Sequence, residues 1–342
     1  MQHKLSEGNL VDMEGNLTEA GYATRHIKAY NRKNVDAHPT RIKEWDYYYV
    51  HNSTYGVGLT IADNGYMGLV SLVIIDFDNH SMMQETKMTW FPLGKMNLPC
   101  TPEAGKTTFN KKGVTLNLDY GKSVTHVKIH WENFREKKPV EIDLKLTDKP
   151  RDSIVLTVPF DKPNQFYYNQ KTYGMRCEGT LSYLHKTVRF DKHDTFALLD
   201  FGRGVWPYKS EWYWGAAQGM QDDALLAFNI GGGFGNTNQA SEDMIFHNGK
   251  GHKLSKGHFE LAFRDNGRPD YMKPWRYRTE DGRLDVTFTP SLRRHDATNF
   301  IVLKNTQNQI FGHYDGKAEL DDGTIIDIEA LPGFAEHFVN KW

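Results

Sequence analysis

The chain has 342 residues, enough to bury a large core and, on length, to form two domains. It is 39% hydrophobic, 25% charged and 13% aromatic, which excludes a disordered or fibrous chain and leaves a globular one with a surplus of rings. With 42 Lys and Arg against 43 Asp and Glu the net charge is −1, so no overall field exists to hold nucleic acid or an anionic membrane. Only a local patch could serve such a partner, and a small molecule is the expected one.

The first residues lack the basic-then-apolar pattern of a secretory leader, and no apolar run is long enough to span a bilayer, so a soluble, cytoplasmic protein without membrane insertion is expected. Cys100 and Cys177 are expected to be free thiols. Residues 1–40 read as an arm lying over the body, with Gly8, Gly15 and Gly21 among polar residues and a short helix expected within Thr18 to Ala29. From Trp45 onward, short apolar or alternating runs are separated by Asn, Asp, Gly and Pro. Strands are expected at Tyr55 to Ala62, Met67 to Phe77, Gly113 to Leu118, Val124 to Trp131, Val140 to Leu146 and Ile154 to Val158. In the second half they fall at Thr195 to Asp200, Ala224 to Ile230, Phe259 to Phe263, Leu284 to Phe288 and Asn299 to Leu303. Val114, Leu116 and Leu118, like Val140, Ile142, Leu144 and Leu146, show the period of two that places one face on a core. Turn signals stand at Asn266-Gly267, Asp281-Gly282 and Asp322-Gly323. Long helical periodicity is missing, so the pattern predicts an all-β protein with an antiparallel barrel or sandwich in each half.

The densest aromatic stretch, Asp200 to Gly219, holds Trp206, Trp212 and Trp214 with Tyr208, Tyr213, Arg203 and Glu211. Glu211-Trp212-Tyr213-Trp214 echoes Glu44-Trp45-Asp46-Tyr47, and a Gly-punctuated apolar run follows each at a similar interval. Two related modules are expected: residues 41–160 and 161–342, the boundary lying in Pro159 to Tyr173 or, alternatively, near Pro150.

Arg41 to Tyr48, Thr60-Ile61-Ala62-Asp63, Pro163 to Gly179 with Lys171 and Gly174, Asp200 to Tyr208 and Trp212-Tyr213-Trp214 together resemble the bacterial family called domain of unknown function 2804. Asp322-Gly323-Thr324 and Gly333-Phe334-Ala335-Glu336-His337 before Trp342 resemble the closing strand of tandem lipocalin-like proteins that include carotenoid hydratases. Phe338 to Lys341 lengthen that ending here. The second resemblance implies two β-barrel or half-barrel domains in tandem and cofactor-free hydratase, isomerase or cyclase chemistry on apolar substrates.

The residues themselves suggest a pocket with Trp206, Trp212, Tyr213 and Trp214 as walls and Arg203 and Asp46 as polar anchors. Asp243, Glu336 and His337 are the candidates for acid and base work, because burial raises a carboxyl pKa toward neutrality. Each has a structural alternative. Arg203 can stack over a barrel-plugging Trp, Glu44 and Glu211 can pair with nearby cations, and of Glu336 and His337 a strand turns only one inward.

No metal or organic cofactor is expected. His126 and His130 lie about 13 Å apart along a strand, and His247, His252 and His258 read as loop histidines. Gly231 to Gly235 is not followed by the helix a nucleotide loop requires, and no nucleophile elbow occurs. The leading reading is a cofactor-independent enzyme acting by proton transfer on an apolar or polycyclic molecule. A carbohydrate-binding protein or glycoside hydrolase with paired carboxylates drawn from Asp46, Glu211, Asp243 and Glu336 stays open, as does a non-catalytic carrier of a lipid-like ligand.

Overall fold

The computed structural model describes residues 2–299 and 304–341. Nearly all of it is antiparallel sheet; the single helical element described is one 3-10 turn, Arg32–Asn34, capped by the Asn31 side chain. The strand-forming alternation dictates this. On Val114–Tyr120, on Thr125–Arg135 as far as Trp131, and from Val140 on Lys138–Thr147, buried residues alternate with exposed or half-buried ones.

Two curled half-barrel sheets follow one another in the chain. In the first, Ile42–His51, Tyr55–Asp63, Met67–Asp76 and Ser81–Trp90 form a meander. The last strand, Phe196–Val205, returns to pair with Ile42–His51, and Phe166–Tyr183 continues the sheet on its other side. The second sheet repeats this plan. Lys209–Gln221, Ala224–Gly232 and Met244–His247 form its meander, and Ile325–Lys341 returns to pair with Lys209–Gln221. Leu284–Asn299 and Lys304–Glu319 extend it further. The two segments matched in sequence thus hold the same topological place, as first strand of each meander.

The change of sheet falls at 206–208, after Val205 and before Lys209. Residues 161–205, which composition assigned to a second module, hydrogen-bond into the first sheet; Pro159 and Pro163 mark a hairpin end between Ile154–Pro159 and Phe166–Tyr183 rather than a linker. The helix expected within Thr18 to Ala29 is also replaced, by the short strands Gly21–Ala23 and Lys28–Ala29. Tertiary pairing decides this: Gly21–Ala23 adds to the edge strand Ile154–Pro159, and Thr157 Oγ1 accepts from Gly21 N at 3.1 Å. The strand expected at Asn299 to Leu303 lies largely outside the described residues, as does Trp342.

Each sheet wraps its own apolar core, one around Ile61, Leu72, Leu116 and Trp131, the other around Phe228, Trp275, Val286 and Tyr314. A third cluster lies between the sheets, where Tyr49, Val73, Phe311 and Phe334 meet. This seam positions the site.

Candidate functional site

Above the seam cluster a cavity of about 360 Å³ lies between the sheets. Cross-strand register builds its walls in rows. On the first sheet, pairing sets Thr86, Ser71, Thr60, Tyr47, Asp200 and Lys171 side by side. On the second, the facing row is Arg294, Gln309, Glu336 and Trp214. Hydrogen bonds join these polar rows across the seam: Gln309 Nε2 donates to Tyr47 Oη at 3.1 Å, and Lys171 Nζ to Glu242 Oε2 at 2.6 Å. The next row is apolar on the first sheet, with Met88, Leu69, Ala62 and Trp45, and mixed on the second, where Trp212 and Phe338 continue into Gln307 and Asp296. Trp206 and Phe234 complete the aromatic wall.

Trp45 lies across the neighbouring strand because Gly202 has no side chain: a Cβ there would sit 1.9 Å from the indole. Its Nε1 donates to Asp200 Oδ2 at 3.0 Å, and Asn169 Nδ2 hydrogen-bonds the other oxygen of that carboxylate. Burial raises the Asp200 pKa above the ordinary aspartate range despite the Lys171 ammonium. That ammonium lies 4.0 Å above the Trp214 ring.

Glu336 is the most perturbed carboxyl of the cavity. Desolvation by burial raises its pKa to about 8, against the lowering effects of the Trp212 hydrogen bond and the Lys171 and Arg294 charges. Trp212 Nε1 donates to Oε1 at 3.2 Å. Arg294 is held by Gln309 Oε1 at 3.0 Å and Gln84 Oε1 at 2.8 Å. The Glu336 carboxyl, the buried Asp200 carboxyl and the cations of Lys171 and Arg294 therefore border one space with an aromatic wall. The arrangement can deliver a proton to an apolar molecule and take one back.

Of the residues singled out from sequence, Trp206, Trp212, Trp214 and Glu336 line this cavity. His337 takes the opposite face of its strand, stacking on Tyr213 at 4.1 Å, with Nε2 at 2.8 Å from Glu211 Oε1 and Nδ1 at 2.7 Å from the Tyr271 hydroxyl. Tyr213 accordingly faces the second sheet's core and not the cavity. Asp243 also lies away from it, accepting from the Tyr277 hydroxyl and from Gly231 N at 3.1 Å, with burial raising its pKa to about 6. Its neighbour Glu242 lines the cavity instead.

Arg203 and Asp46 form a buried pair inside the first half-barrel at 2.9 Å, where Tyr120 Oη also donates to Asp46 at 2.5 Å. Arg203 stacks over Phe201 at 3.6 Å rather than over a Trp and binds the Trp45 and Pro99 carbonyls at 2.8 Å. Glu44 pairs with Arg32 at 2.6 Å. Lys171, Glu242, Arg294 and Asp200 were not chosen from sequence as site residues. For Trp45 and Asp46 strand parity is the available signal, since neighbours on a strand face opposite sides; Glu242 and Asp243 lie just before the strand Met244–His247, where parity gives none.

No group of three or more His, Cys, Asp or Glu residues suited to a metal ion occurs among the described residues. Both thiols are free, Cys177 buried and Cys100 exposed. No helix is long and apolar enough to cross a membrane among the described residues.

Fold and cavity define an all-β protein of two curled antiparallel half-barrel sheets in tandem with a cavity between them. The chain belongs to the family described as domain of unknown function (DUF2804), whose model matches residues 2–342. Among solved structures, CghA has a TM-score of 0.50 at 9% identity, with 89% of this chain and 88% of that one covered. Kievitone hydratase from Nectria haematococca has a TM-score of 0.48 at 11% identity, with 97% of each chain covered. Comparison with curated proteins gave no match.

Proposed function

We propose that this protein is a cofactor-independent enzyme that binds an apolar or polycyclic small molecule between its sheets and performs proton transfer on it, as in hydration, dehydration, isomerisation or cyclisation. The observation that carries the reading is Glu336: a carboxyl of pKa about 8 bordering a cavity whose aromatic wall is made by Trp45, Trp206, Trp212 and Phe338. Such a group stays protonated near neutrality and can protonate an alkene or enone carbon. In this reading Asp200, hydrogen-bonded by Trp45 and Asn169, accepts the proton lost when water or an internal nucleophile has added. Lys171 and Arg294 lie beside charge that develops during the transfer.

The test starts with native mass spectrometry of protein from its own host and identification of the co-purified molecule. Turnover of that molecule is then compared between wild type and Glu336→Gln. Loss of about 10²–10⁴ in rate with ligand still bound supports the reading. A co-purified molecule that wild type returns unchanged makes the protein a carrier, and a bound glycan transfers the question to paired carboxylates.

A further inference from the structure

The cavity mouth is bordered by an unusual amount of uncovered apolar surface. Met88 is 37% exposed, Trp90 55%, Phe91 61% and Leu93 40%, all within six consecutive residues. Single exposed apolar side chains are ordinary, but a contiguous group at a pocket rim is not. Met88 and Trp90 line the cavity, and the exposed Phe91 and Leu93 follow them in the chain.

The backbone holds these side chains out. Phe91 and Leu93 adopt φ of 51° and 53°, a left-handed conformation that bulky residues rarely enter. It is fixed by Phe91 N donating to Tyr66 O at 2.8 Å and Leu93 N to Gly65 O at 3.2 Å. The buried Asp63 carboxylate ties down the next turn of the loop, accepting from Gly94 N at 2.8 Å and Met96 N at 3.3 Å. Between and beyond the exposed pair, Pro92 and Met96 turn inward. The loop is thus anchored by one set of residues while it presents the other.

Cations surround this apolar group. Lys95, Lys111, Lys112 and Lys341 are exposed, and none has an ion-pair partner among the described residues. Lys112 Nζ donates to the Met88 carbonyl at 2.7 Å, which places its hairpin against the rim, and Lys341 lines the mouth from the second sheet. Of nearby carboxylates, Glu85 is paired with Arg135 at 3.4 Å, and Glu132 beside Gly113 and the exposed Asp296 on the cavity lining are the opposing charges.

We propose that this apron docks on a bilayer carrying anionic headgroups, with Trp90, Phe91 and Leu93 entering the boundary between headgroups and acyl chains and the lysines meeting phosphate. Trp at the interface and a basic rim around apolar side chains are the chemistry of peripheral membrane attachment. A second copy of the chain is disfavoured as occupant, because an isologous contact centred here would set these lysines against their own symmetry mates. Docking would put the mouth at the lipid, so that a poorly soluble ligand reaches Trp45 and Trp212 without crossing water; that part rests on the proposed function.

The test is co-sedimentation of the full chain with phosphatidylcholine vesicles, with and without phosphatidylglycerol. Binding is expected with phosphatidylglycerol, weakened by salt, and lower by about tenfold or more in Phe91→Ser/Leu93→Ser and in Lys95→Glu/Lys111→Glu/Lys112→Glu. All five side chains are exposed, and circular dichroism melts check that the variants fold. Absence of vesicle binding, equal binding by Phe91→Ser/Leu93→Ser, or a solution dimer split by that variant would each overturn the proposal. No substrate is needed, so failure of the enzymatic reading and failure of docking are separately visible.

Discussion

Glu336→Gln also makes a stability prediction that requires no substrate. A carboxyl whose pKa rises from 4.5 to about 8 on folding holds its proton more tightly in the native state. Its contribution to stability is complete below about pH 4.5 and is withdrawn as pH rises through about 8. Each pKa unit is worth about 1.4 kcal/mol, so on the order of 4 kcal/mol separates pH 5 from pH 9 through this one group. Glutamine has the shape of the protonated acid and keeps an oxygen for Trp212 Nε1 to donate to, so at pH 5 the variant should lie within about 1 kcal/mol of wild type. At pH 9 it should be the more stable by roughly 3–5 kcal/mol, or on the order of 5–10 °C in Tm. The assay is urea and thermal unfolding of both proteins at pH 5, 7 and 9. The variant-minus-wild-type difference isolates Glu336 from Asp243, whose burial acts with the same sign in a more acid range, and from Lys253, whose pKa burial lowers to about 8. Parallel stability curves for the two proteins would refute an uncharged, desolvated Glu336.

Trp212→Phe removes the indole donor that lowers the Glu336 pKa, so the pH at which wild-type stability falls should move upward, readable by the same unfolding series. Arg203→Met leaves Asp46 and Glu44 buried without their shared cation and should destabilise by about 3–5 kcal/mol, while the aromatic wall still binds ligand. Asp243→Ala strips Tyr277 and Gly231 of their acceptor; a loss of about 2–4 kcal/mol in urea with unchanged ligand affinity is expected, since Asp243 does not line the cavity.

The alternation in Val114–Tyr120 and Lys138–Thr147 made the sheets legible, because a half-buried strand must alternate. The matched openings at Glu44 and Glu211 likewise pointed to two meanders. The transition between sheets was obscured because Pro159 and Pro163 mark a hairpin end as readily as a linker, whereas Trp206-Pro207-Tyr208 is aromatic and looks like core. In the site, ring content identified Trp206, Trp212 and Trp214. Polar partners were harder to read, because which of two adjacent residues faces the cavity depends on a register fixed by strands far away in sequence. On the strand Ile42–His51 it is Trp45 that faces the cavity while Asp46 is buried with Arg203, in the loop before Met244 it is Glu242 and not Asp243, and Arg294 is brought in by a pairing with Gln309 across a long hairpin.

Two half-barrels joined by a three-residue connection are held together by the apolar cluster between them and by hydrogen bonds across their seam. Three of those bonds, Gln309 to Tyr47, Lys171 to Glu242 and Arg294 to Gln84, are made by the same side chains that border the cavity. The width of the chamber is therefore a property of neither barrel but of how they are clasped. Substitutions in the apolar seam beneath, at Tyr49, Phe311 or Phe334, can re-space the clasp and change which molecules fit while leaving every acid and base in place. On the proposed function, variation of that kind would give a lineage new substrates without new chemistry.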